Sequence, residues 1–168
     1  MMNREIKFRG KGIEEYDKDK WYYGSYFKYD EINYFCLDDG SRTEEINEKL
    51  KNNIKHKIIF EMQGDLNMEN HIKLADVNPE TVGQYTGLHD KNGKEIYEED
   101  VVKITNKNSK VIPIKPLIAQ IVWSEEYLAY ILITTSVKDA FENLGDYIDY
   151  DIEVIGNVFD NPELLGGE

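Results

Sequence analysis

Residues 77–102 read VNPETVGQYTGLHDKNGKEIYEEDVV, and two short apolar runs within them flank Asn92 and Gly93. An Asn-Gly pair between such runs is the strongest short-range signal for a β-hairpin, because a type I′ turn requires positive φ at both central residues. Pro79 is tolerated at the first position of a helix, so we also expect one helical turn over residues 79–82. The segment therefore predicts a helical turn followed by a hairpin.

Strand patterns continue on both sides of this hairpin. Towards the C-terminus, the predicted strands are residues 101–105, 117–123, 129–135 and 152–159. Towards the N-terminus, they are residues 5–9 and 21–29, joined by the polar loop 14–20, and residues 33–37, 58–62 and 71–75. No long helix alternates with these strands, which predicts a mainly β fold, α+β at most. We expect antiparallel sheets, a small SH3-like barrel in the C-terminal half and one or two short helices.

The chain is predicted to form a single domain over residues 1–168. Its expected parts are an N-terminal β-hairpin lobe, a variable polar excursion and a C-terminal barrel-like part, at about residues 1–40, 41–75 and 76–168. Within the excursion, Ile46, Leu50 and Ile54 recur at four-residue spacing, and Thr43 can cap a helix that begins beside it. A solvated helix and a mobile excursion are both compatible with this pattern.

The composition predicts a folded protein with no disulfide. Hydrophobic residues make up 40% of the 168 residues, and 12 Tyr, 6 Phe and 2 Trp supply enough apolar surface to exclude a disordered acidic chain. Cys36 is the only cysteine, and no window approaches 18 uninterrupted apolar residues. We therefore expect a cytoplasmic protein that does not bind membranes. The net charge of −13 argues against wholesale wrapping of nucleic acid.

The charge is unevenly distributed along the chain. Residues 139–168 contain nine acids and no Lys or Arg, whereas residues 101–124 contain four lysines and no acid. These lysines are Lys103, Lys107, Lys110 and Lys115. If the two segments are neighbours in a sheet, they provide plain electrostatic complementarity within the fold. The alternative interpretation is that the acidic segment forms an interaction face.

Four stretches of the chain together resemble the YopX family. They are residues 77–102 quoted above, REIKFRGK at 4–11, WYYG at 21–24 and IEVIGNVFDNPELL at 152–165. The resemblance implies a β-rich phage or prophage protein of Gram-positive bacteria, without an assigned activity, from a family known to crystallise as oligomers. This chain has Glu99 where the family usually has glycine, which implies a differently built turn before Val101.

The motif residues are better explained as defining the fold than as catalytic. Gly83 and Gly87 permit positive φ or close backbone approach, and Tyr85 is expected to pack over the hairpin. The acidic turn before Val101 resembles turns in which a carboxylate accepts backbone N–H bonds, and Gly156 with Asn157 suggests a strand bend with a capping amide. The full predicted set is Gly83, Gln84, Tyr85, Thr86, Gly87, Asn92, Gly93, Tyr97, Asp100, Gly156 and Asn157.

No residue is assigned a catalytic, cofactor-binding or metal-binding role, and we expect neither an enzyme nor a cofactor. His56, His71 and His89 are scattered, with no partner at zinc-ligand spacing. Four acids are candidate oxygen ligands for a divalent cation, namely Asp146, Asp149, Asp151 and Glu153. Asp149, Asp151 and Glu153 alternate with Tyr150, Ile152 and Val154, however, so the outer face of a strand is the favoured interpretation.

Two function classes follow, with an enzyme whose site is invisible in sequence as a distant third. The first is a phage or prophage accessory protein whose acidic face, Asp146, Asp149, Asp151 and Glu153, engages a basic host or phage protein, for example by imitating DNA phosphates. The alternative is a small barrel that binds single-stranded nucleic acid through Lys103, Lys107, Lys110 and Lys115, with Tyr127 and Tyr130 as stacking platforms. We also expect a homo-oligomer, because Tyr-rich β proteins cover their sheet edges by association.

Overall fold

The computed structural model describes residues 5–30, 54–62, 71–106, 115–134 and 141–166. The chain divides into an N-terminal unit, residues 7–82, and a C-terminal unit built mainly from residues 83–168. Strands of the N-terminal unit are β1 Phe8–Lys11, β2 Trp21–Asp30, β3 Ile54–Met62 and β4 His71–Asp76. Strands of the C-terminal unit are β5 Gly83–His89, β6 Glu95–Tyr97, β7 Asp100–Thr105, β8 Leu117–Ser124, β9 Ala129–Thr134, β10 Phe141–Asn143 and β11 Asp151–Asn157. Three 3₁₀ turns complete these ranges, at Pro79–Thr81, Leu144–Tyr147 and Pro162–Leu164.

The N-terminal unit is an antiparallel sheet with the strand order β4-β3-β2-β1. Its polar loop is fixed by Asp17, which is only 7% exposed. The Asp17 carboxylate accepts hydrogen bonds from the Tyr22 hydroxyl at 2.8 Å and from the Glu14 backbone N–H at 3.0 Å. The pKa of Tyr22 is raised to about 12, mainly by burial and next by the hydrogen bond that its hydroxyl donates to Asp17. The carboxylate thus joins the loop to the core beneath it.

The core of the N-terminal unit lies on one face of this sheet. Tyr22, Ile58, Ala75 and Val77 form its buried cluster, and Tyr26, Phe60 and Val82 pack against them. Side chains alternate across a strand, so the residues between these ones point to the other face. The inner face accordingly supplies the apolar burial that stabilises the unit.

The C-terminal unit consists of the hairpin β5–β6 and a five-stranded antiparallel sheet with the order β10-β9-β8-β7-β11. One core cluster joins the hairpin, the sheet and the turn that follows β10. Its buried members are Ile96, Val102, Ile104, Ala119, Ile121, Leu132, Leu144 and Ile152. We call the sheet face that carries Val102, Ala119 and Leu132 the core face and its opposite the outer face.

The prediction of a mainly β, antiparallel fold is confirmed, but the C-terminal sheet is not the predicted SH3-like barrel. Among the described residues, β10 pairs with β9 and β11 pairs with β7, and the sheet does not close. The hairpin loop instead covers the free edge of β11, because Lys91 donates its N–H to the Ile152 carbonyl at 2.8 Å and Val154 donates to the Asp90 carboxylate at 3.1 Å. The edge is protected without closure.

The predicted hairpin is confirmed, but the type I′ assignment is wrong. Gly93 has φ of +83°, whereas Asn92 is not among the described residues with positive φ. The Gly93 N–H donates to the Asp90 carbonyl at 3.0 Å and the Asp90 N–H donates to the Lys94 carbonyl at 2.7 Å. This is a three-residue loop that ends on a glycine in the left-handed region.

Most predicted elements in the described ranges are present. The strands downstream of the hairpin, the first hairpin, the strands at 58–62 and 71–75, and the turn that begins at Pro79 are confirmed within a few residues. Strand β10 and the 3₁₀ turn Leu144–Tyr147 were not predicted. The predicted strand at 33–37 and nearly all of the 41–55 segment lie outside the described residues. None of the helices in the described ranges has the length and apolar character needed to cross a membrane.

Candidate functional site

Asp90 organises the hairpin motif. It is 7% exposed, and its carboxylate accepts hydrogen bonds from the backbone N–H groups of Asn92 at 2.7 Å, Lys94 at 2.9 Å and Val154 at 3.1 Å. Burial alone would raise the pKa of Asp90, but these hydrogen bonds outweigh it and lower the pKa. All three bonds go to backbone donors of the fold, so Asp90 is a structural residue.

The other motif residues also hold backbone together. Tyr85 and Tyr97 are buried with their ring centroids 5.6 Å apart, and the Thr86 hydroxyl donates to the Ile96 carbonyl at 2.8 Å. The Asp100 carboxylate accepts the Tyr97 N–H at 2.8 Å, which is the bond expected of the acidic turn. Gly87 has φ of +90°, and a Cβ on Gly83 would lie 2.9 Å from the Glu98 carbonyl oxygen. These contacts support the structural interpretation of the motif.

The turn before Val101 places Glu99 in a backbone conformation that favours glycine. Its φ is +67°, and its carboxylate accepts a hydrogen bond from the Gln120 side chain at 2.6 Å. A residue with a Cβ is disfavoured in this region. The backbone at Glu99 therefore has a conformation that favours glycine, which is the residue that the YopX pattern usually has at this position.

The bend predicted at Gly156 and Asn157 is present in β11. The pairing with β7 shifts register between Val154 and Gly156, as a β-bulge does. The Asn157 side-chain oxygen accepts the N–H groups of Phe159 at 3.0 Å and Asp160 at 2.9 Å. Both residues therefore terminate the strand.

The predicted acidic face begins at the turn between β10 and β11. Leu144 is buried, and the rings of Tyr147 and Tyr150, with centroids 4.9 Å apart, pack against the core. Asp146 and Asp149 are exposed. Ile148, between these two acids, is 64% exposed. The turn therefore presents an apolar side chain with carboxylates on either side of it.

The acidic pattern continues into β11 with a different environment. Asp151 and Glu153 are half-buried on the outer face, and Glu153 forms an ion pair with Lys91 at 2.8 Å. The hydrogen bond that Lys91 donates to Glu153 is the main cause of the raised pKa of Lys91. The four predicted acids thus divide into Asp146 and Asp149, which are exposed on the turn, and Asp151 and Glu153, which are half-buried in β11, with Glu153 ion-paired within the fold.

A small cavity of about 180 Å³ opens beside Ile148. Its wall combines apolar, aromatic and carboxylate groups from the hairpin loop and from β11. The lining residues are Leu88, His89, Asp90, Lys91, Ile148, Tyr150, Asp151 and Ile152. Pockets for drug-sized ligands start at about 300 Å³, so this volume suits a single long side chain.

The predicted basic residues do not form one cluster in the described part of the chain. Lys103 lies opposite Glu153 on neighbouring strands, on the outer face. Lys115 lies on the core-face side, where it lines a cavity of about 290 Å³ together with Glu142, Tyr147 and Tyr150. Lys107 and Lys110 lie outside the described residues. The pairing of β7 with β11 shows that the basic and acidic segments are neighbours in the sheet, as the complementarity interpretation requires.

The aromatic residues predicted for nucleic-acid stacking lie at the other end of β8. Tyr127 is on the turn between β8 and β9, about 25 Å along the strand from Lys115. Tyr130 packs against the core cluster and against the Trp123 ring, whose centroid is 5.1 Å away. The two tyrosines therefore do not lie beside Lys103 or Lys115, and binding of single-stranded nucleic acid by these residues stays a prediction.

Within the described ranges, no group of three or more His, Cys, Asp or Glu side chains is arranged to hold a metal ion. The acids at 146, 149 and 151 thus converge on no common centre. Ile148, the apolar residue between them, was missed by the sequence analysis. The sequence does contain a signal for it. Ile148 is a large aliphatic residue between Asp146 and Asp149, and it does not share the inward-facing positions of Tyr147 and Tyr150.

The family model described as YopX protein matches residues 7–166. The chain belongs to the YopX family. Its resemblance to YopX in the sequence is therefore confirmed, and the match includes the hairpin, the Glu99 turn and the β11 bulge. Among curated proteins, nothing matches the chain. Among solved structures, it is similar to the crystal structure of protein EF1440 from Enterococcus faecalis, with 20% identity, a TM-score of 0.48, and coverage of 97% of this chain and 99% of that chain.

Proposed function

We propose that this YopX protein is a phage or prophage accessory protein that binds a basic protein partner through the acidic turn after β10. The observation that carries the proposal is the exposure of Ile148, at 64%, between Asp146 and Asp149. Protein interfaces combine an apolar anchor with a polar rim, and the anchor provides most of the affinity. A purely solvating acidic surface has no need of an exposed isoleucine.

The neighbouring cavity supports a cationic partner. Its volume of about 180 Å³ is enough for one Lys or Arg side chain, with Tyr150 and Ile152 beside the aliphatic stem. Asp151 would meet the charged head, and this carboxylate also interacts with Lys91 in the cavity wall. The described part of the C-terminal unit has four Lys or Arg residues against fourteen Asp or Glu residues from position 83 onwards. Such a charge balance attracts basic surfaces and accelerates their association.

Capture from a bacterial host lysate, quantified by mass spectrometry, tests this proposal. Wild-type protein should enrich basic proteins at 50 mM salt, and the combined variant Asp146→Asn, Asp149→Asn, Asp151→Asn should lose them, as should 300 mM salt. The matched control is Glu125→Gln with Glu126→Gln, which removes exposed acids from the β8–β9 turn. A capture profile that is the same for the triple variant and the wild type, and insensitive to salt, would contradict the proposal.

A further inference from the structure

The outer face of the N-terminal sheet carries aromatic side chains, each directly opposite a cationic one. Residues directly opposite one another in an antiparallel pair have neighbouring side chains on the same face. The opposed pairs on β1–β2 and β2–β3 are Trp21 with Lys11, Tyr23 with Arg9, Phe27 with Lys57, and Tyr29 with Lys55. All four aromatic residues come from alternate positions of β2, and all four cations come from its two neighbours.

This face does not supply the core of the unit. The buried cluster uses Tyr22 and Ile58, with Tyr26 and Phe60 packed against it, all from the opposite face. Tyr23 is 44% exposed, and Trp21, Phe27 and Tyr29 are half-buried. These four rings thus keep part of their surface exposed, whereas Arg9 is buried, at 5% exposed.

The rings form two groups along β2. At one end, the Arg9 guanidinium lies 4.8 Å and the Lys11 ammonium 5.6 Å from the centroid of the Trp21 ring. At the other end, the Phe27 and Tyr29 rings stack with centroids 5.5 Å apart and an angle of 18° between their planes. Trp21 and Tyr29 are eight residues apart, about 27 Å along an extended strand.

The local charge differs from the charge of the whole chain. The described part of the N-terminal unit has nine Lys or Arg residues against eight Asp or Glu residues, whereas the net charge of the chain is −13. On the outer face itself, Asp76 is ion-paired with Lys57 at 2.8 Å, and Glu61 lies near the end of β3. Over all of residues 7–82 the sequence has twelve Lys or Arg against sixteen Asp or Glu, so the repulsion of polyanions is weaker at this face than the net charge of the chain predicts.

We propose that the outer face of the N-terminal sheet binds single-stranded nucleic acid. Bases stack on the β2 aromatics, and Lys11 and Lys55 contact phosphates on either side of them. Proteins that bind single strands without sequence preference combine stacking aromatics with cations in this way. A duplex keeps its bases stacked inside, so it offers these rings no comparable partner. The proposal concerns the unit that does not contain the acidic turn, and it therefore goes beyond the protein-binding function.

Fluorescence anisotropy with a labelled 15-nucleotide oligo-dT and the full chain tests the proposal. We expect binding at 50 mM salt that is about 20-fold weaker at 200 mM salt, as for about three phosphate contacts on a single strand. The Tyr23→Ala variant should weaken binding by about 5- to 100-fold, which is the range for one lost base–aromatic stack. Lys11→Gln combined with Lys55→Gln should weaken it and flatten the salt dependence.

The control variants come from the other unit. Lys103→Gln combined with Lys115→Gln, and Tyr127→Ala, should leave the affinity for oligo-dT unchanged. No binding at 50 mM salt, equal affinity for oligo-dT annealed to oligo-dA, or loss of binding only in these control variants would overturn the proposal.

Tryptophan fluorescence gives a second test. The chain has 2 tryptophans, Trp21 and Trp123. In the Trp123→Phe variant, unlabelled oligo-dT should quench the remaining Trp21 emission, because a stacked base contacts its ring. In Trp21→Phe, the Trp123 emission should stay unchanged. Quenching of Trp123 instead of Trp21 would place the nucleic acid elsewhere and overturn the proposal.

Discussion

Single carboxylates fix much of the backbone in this protein. Asp17, Asp90 and Asp100 are buried, and each accepts at least one backbone N–H. Bonds of this kind to a charged group contribute about 1.5–3 kcal/mol each, more than a neutral pair does. Several acids of this strongly acidic chain thus serve the fold rather than a ligand.

Asp90 offers the clearest test at this scale. Asp90→Asn should lower the free energy of unfolding at pH 7 by about 2–3 kcal/mol, since the amide N–H₂ cannot accept one of the three backbone bonds. Because the folded protein lowers the pKa of Asp90, its stabilisation is complete above the unfolded pKa of about 4 and is lost as the pH falls through the lower folded pKa. Urea unfolding from pH 7 to pH 3 should show the gap between wild type and variant closing.

The exposed acid Asp19 provides the control for that measurement. Asp19→Asn should change the unfolding free energy by less than about 0.5 kcal/mol, as is usual for surface substitutions. A gap between Asp90→Asn and wild type that stays constant down to pH 3 would contradict the assigned role of the Asp90 carboxylate.

Glycine substitutions at two adjacent residues, Glu99 and Glu98, provide a matched pair of variants. Glu99→Gly should leave stability within about 0.5 kcal/mol of wild type, because relief of the left-handed backbone, about 1 kcal/mol, offsets the lost bond to Gln120. Glu98→Gly should cost about 2 kcal/mol, because Glu98 lacks positive φ and its carboxylate accepts the Gln84 N–H at 2.8 Å. Thermal unfolding of both variants checks this. Equal losses would contradict the backbone argument.

At the scale of elements, the hairpin loop works as an edge cover for β11. Lys91 donates its backbone N–H to Ile152, and its side chain pairs with Glu153. Lys91→Pro removes both contacts at a turn position where proline is tolerated, whereas Lys91→Gln removes only the ion pair. We expect a loss of about 1–2 kcal/mol for proline and less than about 0.5 kcal/mol for glutamine.

Amide hydrogen exchange provides the readout for this pair of variants. The Val154 N–H, which donates to Asp90, should exchange faster in Lys91→Pro than in Lys91→Gln. Equal exchange in the two variants would mean that the loop does not protect the edge of β11.

Elements with clear alternation could be predicted from the sequence, and elements fixed by tertiary contacts could not. Strands such as β7 and β8 have enough β-branched residues to be recognised, whereas β10 has only three residues and forms by pairing with β9. The Asn-Gly pair predicted the hairpin, but the turn type depends on the hydrogen bonds that backbone N–H groups of the loop donate to the Asp90 carboxylate. The prediction of a closed barrel was wrong because this loop covers the edge of β11. The contact joins Asp90 and Val154, which are 64 positions apart in the sequence.

The candidate sites divide in the same way. Alternation correctly predicted Asp151 and Glu153 on the outer face of β11, whereas Asp149 lies in the turn before the strand. It did not predict that Lys91, far away in sequence, pairs with Glu153. The aromatic–cationic face of the N-terminal sheet could not be found in the sequence, because its pairs depend on the register of three strands. Trp21 and Lys11 are ten residues apart and yet directly opposite.

At the scale of the whole molecule, the net charge is unevenly divided: residues 7–82 of the N-terminal unit carry −4 and the rest of the chain, mainly the C-terminal unit, carries −9. The two proposed ligands follow this division: a basic protein for the acidic turn and a single strand for the aromatic–cationic face. The net charge of −13 is therefore a poor guide to either surface.

The homo-oligomer expected from the sequence is a further prediction at this scale. Multi-angle light scattering at micromolar concentration should give a mass at a multiple of 19.7 kDa. A mass of one chain across that concentration range would contradict the prediction.

The central claim is that Ile148 and the acids beside it act as one protein-binding surface. Anisotropy of a labelled peptide of alternating Lys and Leu residues, titrated at 50 mM salt, tests this most directly. We expect Ile148→Ser and the triple Asn variant at positions 146, 149 and 151 each to weaken binding at least tenfold, with Glu125→Gln, Glu126→Gln unchanged. Binding that follows the total negative charge and ignores Ile148 would contradict the claim.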